Sequence, residues 1–104
     1  MKVNKKQYIF HVLSKISEDP VYCGRCDRNW PKRKLKTNRA YDIYIRDPEG
    51  HPLFIFCYDC DTPYKNSDVA VHERGGRKTM FCPKLHKVKV EIHSRDLRKL
   101  LGES

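Results

Sequence analysis

Leu53-Phe54-Ile55-Phe56-Cys57-Tyr58-Asp59-Cys60 runs an apolar segment straight into a Cys-x-x-Cys pair, and Cys23-Gly24-Arg25-Cys26 supplies a second pair upstream. Each pair closes a tight turn whose two sulfurs converge, and two such pairs can furnish the four soft ligands of a tetrahedral zinc site. Cys23, Cys26, Cys57 and Cys60 are therefore expected to hold one structural Zn2+, with no position open for a catalytic water. Thirty residues separate Cys26 from Cys57, which exceeds the commonest four-cysteine spacing. A β-hairpin with a loop would fill that interval and bring the pairs together.

Working outward, Tyr41-Asp42-Ile43-Tyr44-Ile45 alternates polar and apolar residues as a half-buried strand does. Asp47-Pro48-Glu49-Gly50-His51-Pro52 is turn chemistry, and Leu53–Phe56 returns as the partner strand. Upstream, Ile9, Val12, Leu13 and Ile16 recur at helical spacing after Asn4, a candidate cap, and Asp19-Pro20 is the expected stop. Downstream, 61–68 has poor helical periodicity, 68–72 and 79–82 read as strands about an Arg74-Gly75-Gly76-Arg77 turn, 86–93 as a further strand, and 95–101 as a short helix capped by Ser94 and stopped by Gly102. No internal repeat or low-complexity segment is apparent.

The order knuckle, hairpin, second cysteine pair over residues 21–61 resembles the zinc-ribbon and treble-clef group of zinc fingers, in which a metal joins the base of a hairpin to the following segment. A treble clef would start a helix at the second pair, and 61–68 does not read as one, so the ribbon-like arrangement is favoured. The expected fold is α+β: a small zinc-stapled β-hairpin domain with an N-terminal helix, additional antiparallel strands and a short C-terminal helix. It forms one domain over 1–104, organised as helix (1–20), two-knuckle hairpin (21–61), then strands and helix (62–104).

Other uses of the cysteines fit less well. Five is an odd number, which leaves Cys82 outside a disulfide framework. The N-terminal stretch has a charged start but no uninterrupted apolar core, because His11 and Lys15 break it. An intracellular, reducing compartment is expected, where paired cysteines serve as metal ligands or redox groups. Cys82-Pro83-Lys84-Leu85-His86 raises a second metal site, since Cys82 and His86 lie four positions apart and His72 precedes them on a strand. His93 or His51 would have to complete it. Against that site stands the plainer use of Cys82 as a small buried hydrophobe.

The net charge is +9, and it is partitioned. Residues 1–39 carry eleven Lys/Arg against three Asp/Glu, 40–73 two against seven, and 74–104 nine against three. Within the first block Arg28, Lys32, Arg33, Lys34, Lys36 and Arg39 surround Trp30 without one acidic residue. Such density suits phosphates through counterion release, and an indole can stack on an unpaired base or plug the core. On the last strand Lys87 and Lys89 share one face.

The expected function is a zinc-stabilised nucleic-acid-binding protein, a small regulator contacting DNA or RNA through Arg28, Trp30, Lys32, Arg33, Lys34, Lys36, Arg39, Lys87 and Lys89. The alternative is a protein-interaction module docking on transcription or replication machinery. Neither a membrane nor a small-molecule substrate is expected as a partner. No Ser/His/Asp order, phosphate-cradling glycine loop or His-Glu-x-x-His helix points to an enzyme.

Overall fold

The computed structural model describes residues 5–37 and 42–89. The expected cap Asn4, the start of the strand at Tyr41, Arg39, His93, the end of the 86–93 strand and the 95–101 helix lie outside them. Within the described residues the protein is one helix on small antiparallel sheets, and no helix is long and apolar enough to cross a membrane.

Helix α1 spans Lys5–Ser14. It stops before Asp19-Pro20 because its last turn tightens: the Lys15 and Ile16 N–H groups bond the carbonyls of Val12 and Leu13 (both 3.1 Å), and the Ser14 hydroxyl donates to the His11 carbonyl (2.6 Å). Its buried stripe is Tyr8, Val12 and Ile16, with Ile9 and Leu13 only half covered and Phe10 77% exposed. The stripe is centred one position earlier than aliphatic residues alone suggest, because Tyr8 counts as a large apolar body with a polar tip. Its ring meets Phe56 edge-on at 6.2 Å and its hydroxyl donates to the Asp42 carbonyl (2.5 Å).

Strands β1 (Val21–Cys23) and β2 (Arg28–Trp30) form the first hairpin. A 3-10 turn, Lys32–Lys34, leads toward β3 (Tyr44–Arg46), which pairs antiparallel with β4 (Pro52–Cys57). Strand β4 then pairs with β5 (Thr62–Lys65), so the three-stranded sheet has the order β3-β4-β5. A second 3-10 turn, Asn66–Asp68, precedes the hairpin of β6 (Ala70–Arg74) and β7 (Arg77–Phe81). Strand β5 contains Pro63, which lacks a donor and is tolerated because β5 is an edge strand. The core is the helix stripe against Ile43, Ile45, Phe54, Ile55 and Phe56, joined by Val21, Leu35, Val69, Cys82 and Val88.

Candidate metal centres

The two cysteine pairs do not converge on one point. Cys23 and Cys26 lie with Asp47 and His51, and Cys57 and Cys60 lie with Cys82 and His86; in each group one ligand atom per residue falls within 4.8 Å of the others. This corrects the expected single four-cysteine centre: each pair finds its partners in a later turn, Asp47 to His51 for the first and Cys82 to His86 for the second. Each group can hold a metal ion.

In the first group Cys26 Sγ lies 3.0 Å from His51 Nδ1 and 3.2 Å from Asp47 Oδ2, and Cys23 Sγ lies 3.7 Å from the same Nδ1. The pair sits in the β1–β2 turn, where the Asp27 N–H bonds the Cys23 carbonyl (2.8 Å). Asp47 and His51 close the β3–β4 turn: the Asp47 N–H bonds the His51 carbonyl (3.0 Å), the Gly50 N–H the Asp47 carbonyl (2.9 Å), and Asp47 Oδ1 accepts the His51 N–H (2.8 Å). That leaves Asp47 Oδ2 facing the thiols.

Asp47 is fully buried. Burial pushes its carboxyl upward, yet bonds from Cys23, the His51 N–H, Cys26 and the His51 ring hold it well below the usual carboxylate range. Among the described residues its only ion-pair contact is His51, at 3.2 Å. An ionised carboxylate without a full counter-charge costs several kcal/mol to bury (about that order), and a cation among these four donors supplies one. Burial, followed by bonds to Asp47 and Cys23, pushes the Cys26 thiol up to about 12; a metal relieves that crowding by taking the thiolate as a ligand.

The second group repeats the design with sulfur in place of the carboxylate. Cys60 Sγ lies 3.1 Å from His86 Nδ1 and 3.7 Å from Cys82 Sγ, and Cys82 Sγ lies 3.6 Å from Nδ1 and accepts the His86 N–H at 3.3 Å. Burial pushes the Cys57 thiol up to about 12. Burial acts the same way on Cys82, but backbone N–H groups of His86 and Lys84 and contacts from Cys60 and Cys57 outweigh it and bring that thiol down to about 7. Tyr64 bonds the Cys60 sulfur, which raises the phenol to about 12.

The correspondence between the centres extends through the backbone. Cys23, Cys26 and Asp27 recur 34 residues later as Cys57, Cys60 and Asp61, and Asp47-Pro48 and His51 recur 35 residues later as Cys82-Pro83 and His86. Asp27 and Asp61 share a positive φ (53° and 52°), as do Gly50 and Leu85 just before each histidine (93° and 67°). The pairing Cys23↔Arg28 matches Cys57↔Thr62, the bridge Lys36↔Arg46 matches Ala70↔Phe81, and Arg46↔Pro52 matches Phe81↔Lys87. The two 3-10 turns fall at equivalent positions, each followed by a buried residue, Leu35 or Val69. The described residues from Val21 to Val88 thus hold two tandem copies of one unit, with β4 ending the first and beginning the second. The short identities Cys-x-x-Cys-Asp and x-Pro-x-x-His were the available signal in the sequence.

The remaining predicted residues sort as follows. Cys82 and His86 join a centre; His72 does not, because it is exposed and its ring meets Phe81 edge-on at 5.4 Å. Trp30 is half-buried against the core with the Arg28 guanidinium 4.4 Å from its ring centroid, so the packing role is observed and that face is occupied. Lys32 is tied down, its Nζ bonding the Ile16 carbonyl and its N–H the Asp19 carboxylate (both 3.0 Å). Arg33, Lys34, Lys36 and Lys87 are exposed, and Lys89 lies 4.6 Å from the Tyr58 ring centroid. Asp61 anchors the helix to the second knuckle through His11 Nε2 (2.6 Å) and Lys15 Nζ (3.2 Å).

Compared with protein-family models, curated proteins and solved structures, the chain matches none of them.

Proposed function

We propose that the protein is a pair of fused zinc-ribbon-like units, structural in purpose, that presents cationic side chains to nucleic-acid phosphates. Zinc suits the donor sets: a tetrahedron with Zn–S bonds of ~2.3 Å has S···S edges of about 3.7 Å, and Cys60 and Cys82 stand 3.7 Å apart. Cys23, Cys26, Asp47 and His51 would hold one ion, and Cys57, Cys60, Cys82 and His86 the other. With four protein donors at each, the ion's contribution is to fix the fold.

The observation that carries the binding role is an exposed cationic run, Arg33, Lys34 and Lys36, in a segment without acidic residues, while several carboxylates are engaged elsewhere. Asp47 belongs to a centre, Asp61 pairs with His11 and Lys15, and Glu18 pairs with Lys65 (2.6 Å). Arg33, Lys34, Lys36, Lys84 and Lys87 meanwhile stand exposed. A surface of that sign gains affinity by displacing counterions from phosphates.

The test is binding of the zinc-loaded protein to random-sequence DNA, duplex and single-stranded, over a range of salt. Affinity should fall linearly in logarithmic salt, and replacing Arg33, Lys34 and Lys36 by Ala should reduce the slope by up to about 0.9 per lost contact on duplex. No binding to either probe near physiological salt ends this reading. Docking on a protein partner then takes precedence, favoured by one observation: Phe10, 77% exposed, beside Leu13, Lys32 and Arg33 at the rim of a surface cavity.

A further inference from the structure

The β6–β7 hairpin reaches outward from the second metal-binding group. In the first unit the described pairing at the equivalent position is the bridge Lys36↔Arg46, and in the second the pairing runs on from Ala70↔Phe81 to Arg74↔Arg77. The ribbon joins neither of the other sheets, and every residue from Ala70 to Lys78 is exposed. Cys82 follows β7 directly, so the second centre fixes the base of the ribbon.

Its two faces differ chemically. Cross-strand partners in an antiparallel pair share a face, and successive residues alternate. One face therefore carries Val71, Glu73, Lys78 and Met80. Met80 packs against the core and accepts the Tyr44 hydroxyl at 3.6 Å, while Lys78 stands 3.6 Å from Glu73. The other carries His72, Arg74, Arg77 and Thr79, with no carboxylate. Glu73 is the only acidic residue between 70 and 89, and it belongs to the first face. Gly75 and Gly76 turn the tip with φ of 58° and 79°, the positive pair that a two-residue type I′ turn needs. No side chain at the tip obstructs the two arginines.

The geometry points to this ribbon as a reader of duplex DNA, entering the major groove with the Arg74–Arg77 face. The inference rests on the nucleic-acid reading above and names its substrate and contact. The major groove of B-form DNA, about 12 Å wide, admits a two-stranded ribbon and offers guanine O6 and N7 to arginine. The corresponding groove of duplex RNA is too deep and narrow for side chains to read. Single strands want exposed aromatic platforms, and this face has none: Phe81 is half-buried and engaged by His72. Exposed Lys84 and Lys87, just past the ribbon, supply flanking phosphate contacts.

Fluorescence anisotropy with the full zinc-loaded chain tests this, using a DNA duplex, the RNA duplex of the same sequence, and the DNA duplex methylated at guanine N7. The variants are Arg74→Ala/Arg77→Ala and Arg74→Lys/Arg77→Lys, with native mass spectrometry checking that both keep the wild-type metal count. The wild type should prefer the unmethylated DNA duplex. The alanine pair should lose about tenfold or more in affinity, and the lysine pair should keep the salt slope while losing sensitivity to N7 methylation. If the alanine pair binds DNA as tightly as the wild type while the Arg33, Lys34 and Lys36 variant weakens, the ribbon assignment falls and the nucleic-acid reading stands. Equal binding to RNA and DNA duplexes, or indifference of the wild type to N7 methylation, overturns the groove assignment. A wild type that binds no nucleic acid overturns both.

Discussion

The two tandem units hold different donors on the same backbone. At the third ligand position one has Asp47 and the other Cys82, yet both turns have Pro next, a positive φ before the histidine, and a backbone N–H on the ligand atom or its neighbour. The turn fixes where a donor sits, and the side chain fixes which donor it is. Aspartate fits because one oxygen takes the N–H and the other faces the metal position; cysteine does both with a single sulfur. The second centre, with three sulfurs, is the softer of the two and the better match to a thiophilic ion.

Removing the metals should have the largest effect. Native mass spectrometry should find two zincs per chain, and a strong chelator should empty the Asp47 centre first, with loss of the circular dichroism signal when both are gone. Structural zinc in small fingers is worth about 10–16 kcal/mol, which is as large as the whole stability of a typical domain. Simultaneous loss at low chelator would contradict the difference between the centres. Single-ligand changes come next: Cys23→Ser and Cys82→Ser should each leave one zinc, held by the opposite unit. A shared four-cysteine site predicts instead that Cys23→Ser loses all metal and Cys82→Ser loses none.

Asp47→Cys should make the first centre a copy of the second. The cadmium-loaded form would then show stronger sulfur-to-metal absorption and tighter binding at that centre, whereas Asp47→Asn should weaken it without touching the other. The pH dependence follows from the raised thiols. Burial pushes Cys26 and Cys57 up to about 12, so each is a thiol at neutral pH until a metal takes the place of its proton. Zinc binding should therefore release protons, and affinity should rise with pH, by up to about tenfold per unit for each proton released. Calorimetry in buffers of different ionisation enthalpy measures it; a proton count of zero would contradict the raised thiols. Tyr64→Phe should have the smallest effect, weakening the second centre by about tenfold through the lost bond to Cys60 while sparing the first.

Much of the local structure is legible in the sequence because its causes are local. Both knuckles, the Asp47-to-His51 turn, the Gly75-Gly76 turn and the β3–β4 hairpin follow from turn residues and period-two alternation. Strand β5 is less legible, since Pro63 argues against a strand until its edge position is known. The helix stripe is displaced because Tyr8, a polar residue by type, buries its whole ring. The repeat is hidden by brevity: its few shared residues lie among strands that otherwise differ, and β4 serves both units at once.

The sequence by itself determined the donor inventory, the turns that present the donors in twos, and the division of charge along the chain, all properties of residues within a few positions of one another. Only the tertiary structure decided which donors share a centre. Ligation depends on distance in space, and the antiparallel register of β3 with β4, and the bridge Phe81↔Lys87, close the turns that carry Asp47 and His51 back to the first knuckle and Cys82 and His86 back to the second. Counting cysteines along the chain pairs the knuckles with each other, whereas the folded strands pair each knuckle with a later turn of its own.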